Sequence, residues 1–225
     1  MLHEESLALR QKLGDTLGIA FSLSSLAWVL LAEGDYQQAI ALHQESLAVR
    51  RALGDRRGIA RSLDSLGYAV LLQGDPARAI TLIDESLAEQ EELGDRRARA
   101  HALGHLGYAW LAQGDHERAA LVLRESLLLH QELDDKRGMA FCVAGLAAVA
   151  IDERRAQHGV TLFGAADALR DVIHFPLWPV LKGHLQRYTT SARTQLDEAT
   201  WQEAWAKGRV MSPEQAIAYA LEGTR

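Results

Sequence analysis

The tripeptide Glu-Ser-Leu returns at residues 5–7, 45–47, 85–87 and 125–127, an interval of 40 residues kept without slippage. Self-similarity at a fixed period of roughly 20–50 residues marks an array of small structural units, none of which buries its apolar face alone. Leu-Gly-Asp keeps the same interval at 13–15, 53–55 and 93–95, with Leu133-Asp134-Asp135 as the fourth copy. Gly-Asp divides each period in half at 34–35, 74–75 and 114–115, leaving two segments of about eighteen residues per unit.

Each Gly-Asp reads as a stop followed by a start. Gly54 or Gly74 takes the left-handed conformation just past a helix end, and the next Asp accepts a hydrogen bond from the open N–H groups of the following helix. Pro76, directly after Asp75, suits the first helical position, where an N–H is not missed. Between the stops Ile59, Leu63, Leu66 and Val70 follow helical spacing, as do Ala79, Ile80, Ile83 and Leu87. The unit is a helical hairpin, and stability must come from stacking hairpins on one another.

Leu66, Gly67, Gly74, Ala79 and Leu87 carry the order large residue, small residue, turn glycine, packing alanine, closing apolar residue. Leu26, Ala27, Gly34, Ala39 and Leu47 repeat it, as do Leu106, Gly107, Gly114, Ala119 and Leu127. The pattern resembles the tetratricopeptide repeat (TPR) in its longer, 40-residue form. That resemblance implies an all-α fold, a right-handed TPR superhelical solenoid with a helical C-terminal cap.

The fourth copy decays. Leu146 and Ala147 persist, Asp152-Glu153-Arg154 replaces the Gly-Asp turn, and Gly159 stands where the packing alanine belongs. The strings Leu162 to Arg170, Trp205 to Arg209 and Pro213 to Leu221 resemble the C-terminal end of bacterial STAND-type regulators, LuxR-like, AfsR-like or cyclase-linked, in which TPRs follow a signalling ATPase module. Pro176 and Pro179 interrupt the pattern; a helix to about Thr194, one capped by Asp197 and carrying Trp201 and Trp205, and one opened by the Ser212-x-x-Gln215 capping box should close the chain. The expected division is a second helix of a truncated repeat at 1–15, TPRs at 16–54, 55–94 and 95–135, a degenerate TPR at 136–171, and the cap at 172–225. Residues 1–13 match a second helix without its first, so Leu7 and Leu13 lack a packing partner, and the chain reads as part of a longer protein.

The net charge of -6 argues against a nucleic-acid footprint. Arg56-Arg57, Arg96-Arg97 and Lys136-Arg137 recur at the period, but each follows an Asp and reads as solvated surface. Glu4-Glu5 and Glu89-Gln90-Glu91-Glu92 read as outward-facing helix ends. A single cysteine, Cys142, makes no internal disulfide and suits a cytoplasmic setting. No signal peptide and no membrane span are read from the sequence.

Phosphate loops, nucleophile elbows and Cys/His constellations are missing, so the reading is non-enzymatic, with no cofactor, no metal and no catalytic residue. His101 and His105, one helical turn apart, could share an ion, but two imidazoles are too few and the bland reading is a groove lining. In the geometry the resemblance implies, first helices line a concave groove and equivalent residues form ladders: Trp28, Tyr68, Tyr108 and Ala148; Phe21, Arg61, His101 and Phe141; Ser24, Asp64, Gly104 and Ala144. Aromatic rings there would anchor a protein or peptide, or simply pack between repeats. The candidate groove residues are Phe21, Ser24, Trp28, Arg61, Asp64, Tyr68, His101, His105, Tyr108 and Phe141.

The functional expectation is a protein-interaction module, the sensor arm of a bacterial signalling ATPase or transcriptional regulator. Its partner would be a protein or peptide, including the ATPase module of its own polypeptide, with neither nucleic acid nor membrane engaged. Two alternatives stay open: a small-molecule sensor using Arg61, Asp64, His101, His105 and Tyr108, and a structural scaffold that homodimerises through the N-terminal half-repeat.

Overall fold

The computed structural model describes residues 2–173 and 179–222. Within them the helices are α1 (Leu2–Leu13), α2 (Thr16–Glu33), α3 (Tyr36–Leu53), α4 (Arg56–Gln73), α5 (Pro76–Leu93) and α6 (Arg96–Gln113). They continue as α7 (His116–Glu132), α8 (Lys136–Asp152), α9 (Ala156–Val172), α10 (Pro179–Gln195), α11 (Glu198–Arg209) and α12 (Pro213–Glu222). The described residues hold no strand. Pro176 lies outside the described residues.

The turns form as their chemistry requires. Gly34, Gly54 and Gly74 sit at φ 86, 67 and 102, left-handed values that a Cβ opposes. Asp15, Asp35, Asp55, Asp75, Asp95, Asp115 and Asp135 each accept a hydrogen bond from the backbone N–H three residues on, at 2.9–3.2 Å. The Gly-Asp linker thus serves both helix ends, its N–H groups donating to carbonyls of the preceding helix and its carboxylate accepting from the following one, and the hairpin stays tight. In the fourth copy the left-handed positions fall to Asp134 (φ 49) and Arg154 (φ 66), and Arg155 heads α9 with no side-chain cap. The degenerate turn therefore centres on Arg154-Arg155, two residues past Asp152.

The chain forms two compact units, Met1–Ala98 and Arg99–Arg225. In the first, α2 packs on α3 and α4 on α5. Gly67 is where α4 meets α5: a Cβ there would come within 2.6 Å of Ile83 Cγ1. Ala39 and Ala79 are completely buried beneath such crossings. The serine of each Glu-Ser-Leu is a clamp between the two helices of its hairpin. Ser46 Oγ donates to the Ala20 carbonyl at 2.8 Å, and Ser86 Oγ to that of Ala60 at 2.6 Å, both from full burial.

In the second unit Ser126 repeats the bond to the Ala100 carbonyl at 2.6 Å. Helix α8 is buried along most of its length, packed against α7, α9, α10 and α12. Helix α11 crosses α9 at glycines: a Cβ on Gly208 would stand 1.9 Å from the Thr161 carbonyl, and one on Gly164 2.4 Å from that of Trp205. Trp201 is buried and stacks on Trp205 at 6.3 Å. Asp197 caps α11, and Ser212 and Gln215 exchange the two bonds of a capping box at α12.

Among the described residues α2 is long and apolar enough to cross a membrane by length and composition, because its serines and glycine dilute hydropathy only weakly. Here it is laid against α3, with Ala20, Leu23, Ala27 and Leu31 buried.

Candidate functional site

The first helix of each hairpin places the candidate residues, and each unit has its own set. In the first unit Trp28 on α2 stands 5.9 Å from Tyr68 on α4, tilted by 31°, and 5.9 Å from His43 on α3, nearly edge-on at 80°. Tyr68 is only 4% exposed, and burial pushes its phenol up in pKa. Ser24 shares a 2.8 Å hydrogen bond with Ser46, and Asp64 is buried. Phe21 and Arg61 remain open. Phe21 is 60% exposed beneath the Arg10 guanidinium, and Arg61 reaches Asp95 at 3.1 Å.

In the second unit Tyr108 is 8% exposed, lies against Phe141 at 4.4 Å with the rings tilted by 37°, and donates its hydroxyl to the Phe141 carbonyl at 3.0 Å. His105 meets the same Phe141 ring edge-on at 5.7 Å. The ladder Trp28, Tyr68, Tyr108, expected on an open groove, thus puts both tyrosines inside, where they join successive first helices. Of the alternatives open to those rings, packing between repeats is what they do; the open positions on the neighbouring ladder are Phe21, Arg61 and His101.

His101 keeps company that helical spacing does not announce. The one-turn interval pairs it with His105. Its ring meets that of His130 on α7 at 4.8 Å, and its Nε2 lies 3.6 Å from Asp135 Oδ2 at the start of α8. His130 is 1% exposed, with Nδ1 3.1 Å from the same Asp135 oxygen. Together with the Gly138 N–H, His130 holds the Asp135 carboxyl well below the usual carboxylate range. Aligning the 40-residue copies would have shown the signal: positions 10, 50, 90 and 130 read Arg, Arg, Gln, His.

Other reactive side chains are committed elsewhere. Cys142 is fully buried, its thiol pushed up to about 12 by burial, with Ser126 Oγ 3.1 Å away. A thiol so hard to ionise is a poor nucleophile. Arg56 of the basic stripe bonds Glu89 at 2.8 Å and Glu92 at 2.5 Å. Gln90, expected within an outward-facing run, is buried instead, donating to Ser86 at 2.8 Å.

Recurrent packing residues with side chains that vary on the first-helix faces define a helical-repeat scaffold, consistent with a protein-interaction module. The chain belongs to the tetratricopeptide-repeat family: models described as Tetratricopeptide repeat match residues 1–52, 30–92 and 100–125, together just over half of its length. Proteins of this family are generally non-catalytic scaffolds. No curated protein matches the sequence.

Among solved structures, BtubC (BKLC) from P. vanneervenii superposes with a TM-score of 0.65 at 18% identity, over 99% of this chain and 91% of that one. A kinesin light chain candidate from Podosopora anserina with nearly identical TPR-like repeats gives 0.57 at 18% identity, over 89% of this chain and 95% of that one. A single-substitution variant of that protein gives 0.58 at 18% identity, over 84% and 92%. At that identity the likeness establishes the fold alone, an all-helical TPR-like solenoid.

Proposed function

We propose that this chain works by reversible recognition of a protein or peptide through the first-helix faces of its repeats. The observation that carries the reading is the contrast between repeated and unrepeated positions. The turn glycines, capping aspartates, clamp serines and packing alanines recur, whereas positions 21, 61, 101 and 141 read Phe, Arg, His and Phe. The first three stay accessible, Phe21 at 60% of the residue and Arg61 and His101 at 63% and 43% of their side chains. A repeat scaffold constrains its packing residues and leaves such a surface for a partner to read.

The wider setting proposed is the sensor arm of a bacterial STAND-type regulator in the cytoplasm, its partner including the ATPase module of the same polypeptide. Support comes from the strings Leu162 to Arg170 and Trp205 to Arg209, whose Gly164 and Gly208 make the α9–α11 crossing. The hairpin divisions at 16–54, 55–94, 95–135 and 136–171 are the units in which partner contacts should be mapped.

The test is a binding titration of an identified partner with Phe21→Ala and Arg61→Ala. Exposed anchors of this kind contribute roughly 1–2 kcal/mol, so affinity should fall about tenfold with an unchanged thermal melt. Wild-type affinity in both variants would show that the first-helix faces are not the recognition surface.

A further inference from the structure

We propose that His101, His130 and Asp135 form a binding site for a divalent transition metal of the zinc type. Three donor atoms, His101 Nε2, His130 Nδ1 and Asp135 Oδ2, converge within 4.8 Å of one another. The carboxylate oxygen lies 3.1 Å from His130 and 3.6 Å from His101. Ligands about 2.1 Å from a tetrahedral ion stand roughly 3.4 Å apart, so small side-chain adjustments close the set around a metal.

Two features of the packing bring the cluster together. His130 Nδ1 is buried and makes no hydrogen bond of regular geometry, although the Asp135 oxygen is near. A buried imidazole nitrogen beside a carboxylate oxygen places two metal-ligating atoms side by side inside the fold, where an ion can take the place of the proton they share. Gly138 is what admits the ring, since a Cβ there would lie 2.1 Å from His130 Nδ1.

The other repeats show what this slot contains elsewhere. The equivalents of His101, His130 and Asp135 are Phe21, Arg50 and Asp55 in one copy, and Arg61, Gln90 and Asp95 in the next. There the aspartate faces a guanidinium: Asp55 acts on Arg50, and Asp95 bonds Arg61 at 3.1 Å. Each slot therefore pairs the capping carboxylate with a fixed cation. In the third copy both cation positions carry imidazoles, whose neutral forms donate lone pairs, and a bound metal supplies the positive charge instead. Two nitrogens and one oxygen favour Zn²⁺, Co²⁺, Ni²⁺ or Cu²⁺ over Mg²⁺ or Ca²⁺, which prefer oxygen-only shells. Asp135 Oδ1 keeps its bond to the Gly138 N–H, leaving Oδ2 for the metal, and the half-exposed His101 side chain provides the entry.

The test uses the full 225-residue chain freed of metal by chelator. Zn²⁺ titrated calorimetrically should bind one equivalent at micromolar concentrations and raise the melting temperature, and Co²⁺ should give the visible bands of a low-symmetry nitrogen and oxygen site. His101→Ala removes a half-exposed ligand, and Asp135→Asn retains an oxygen that still caps α8. Each should weaken Zn²⁺ by more than the roughly 10–100-fold typical of an outer-shell change, with helicity preserved. His116→Ala, whose ring pairs instead with Asp152 at 3.2 Å, should bind as wild type. Absence of a one-equivalent micromolar event in the wild type overturns the proposal, as does wild-type affinity in folded His101→Ala and Asp135→Asn.

Discussion

His43 is completely buried, edge-on to Trp28, with both ring nitrogens lacking a hydrogen-bond partner. Burial is the main reason its pKa falls from 6.5 to about 4; Arg50 lowers it further and Asp64 opposes the shift. The folded state therefore holds the neutral ring, while the unfolded chain takes up a proton below its ordinary pKa. Stability from this residue is complete above pH 6.5 and is lost as the pH falls toward 4, on the order of 3 kcal/mol in all. Equivalent positions in the later copies carry Ile83, Leu123 and Phe163. Replacing His43→Leu should thus flatten the decline in unfolding free energy between pH 7 and pH 5, measured by denaturant titration. His158, also lowered to about 4 by burial and by Arg155 and Lys207, leaves the variant a shallower slope. An unchanged slope would mean that His43 is solvated in the folded protein. The sequence shows a column that reads His at positions 3 and 43 and turns apolar at 83, 123 and 163. Only its surroundings show that the ring is neutral.

At the scale of the element, turns and crossings obey different rules. A turn is decided by a few adjacent residues, so Gly-Asp announces it wherever it occurs. The failing turn at 153–155 is accordingly where sequence placement slips, because Arg154 does glycine's work at φ 66 without glycine's freedom. A left-handed non-glycine residue costs about 1 kcal/mol. Arg154→Gly should therefore raise stability by about that amount in a chemical melt, less whatever the Arg154 side chain contributes. Destabilisation would show that the side chain outweighs the strain. Crossings are less local. Glu-Ser-Leu is conspicuous as a repeat, yet its serine's bond to a carbonyl 26 residues earlier appears only once two helices are laid together.

Across the whole molecule, stability should follow how many neighbours each helix packs against. Helix α1 rests mainly on α2 and leaves Leu9 and Leu13 at 58% and 72% exposure, whereas α8 is enclosed by α7, α9, α10 and α12. Amide exchange should be fastest in α1 and slowest in α8, reflecting local opening in the first and near-global opening in the second. Comparable protection in both helices would contradict that ordering. The sequence by itself determined the period, the helical hairpins, their caps and the family, since these depend on spacing and on residues within a few positions of each other. Tertiary structure decided which faces meet: that Tyr68 and Tyr108 turn inward, that Phe21, Arg61 and His101 stay open, and that His101 joins His130 and Asp135. Those outcomes depend on how helices cross, and a crossing brings together residues that no local pattern links.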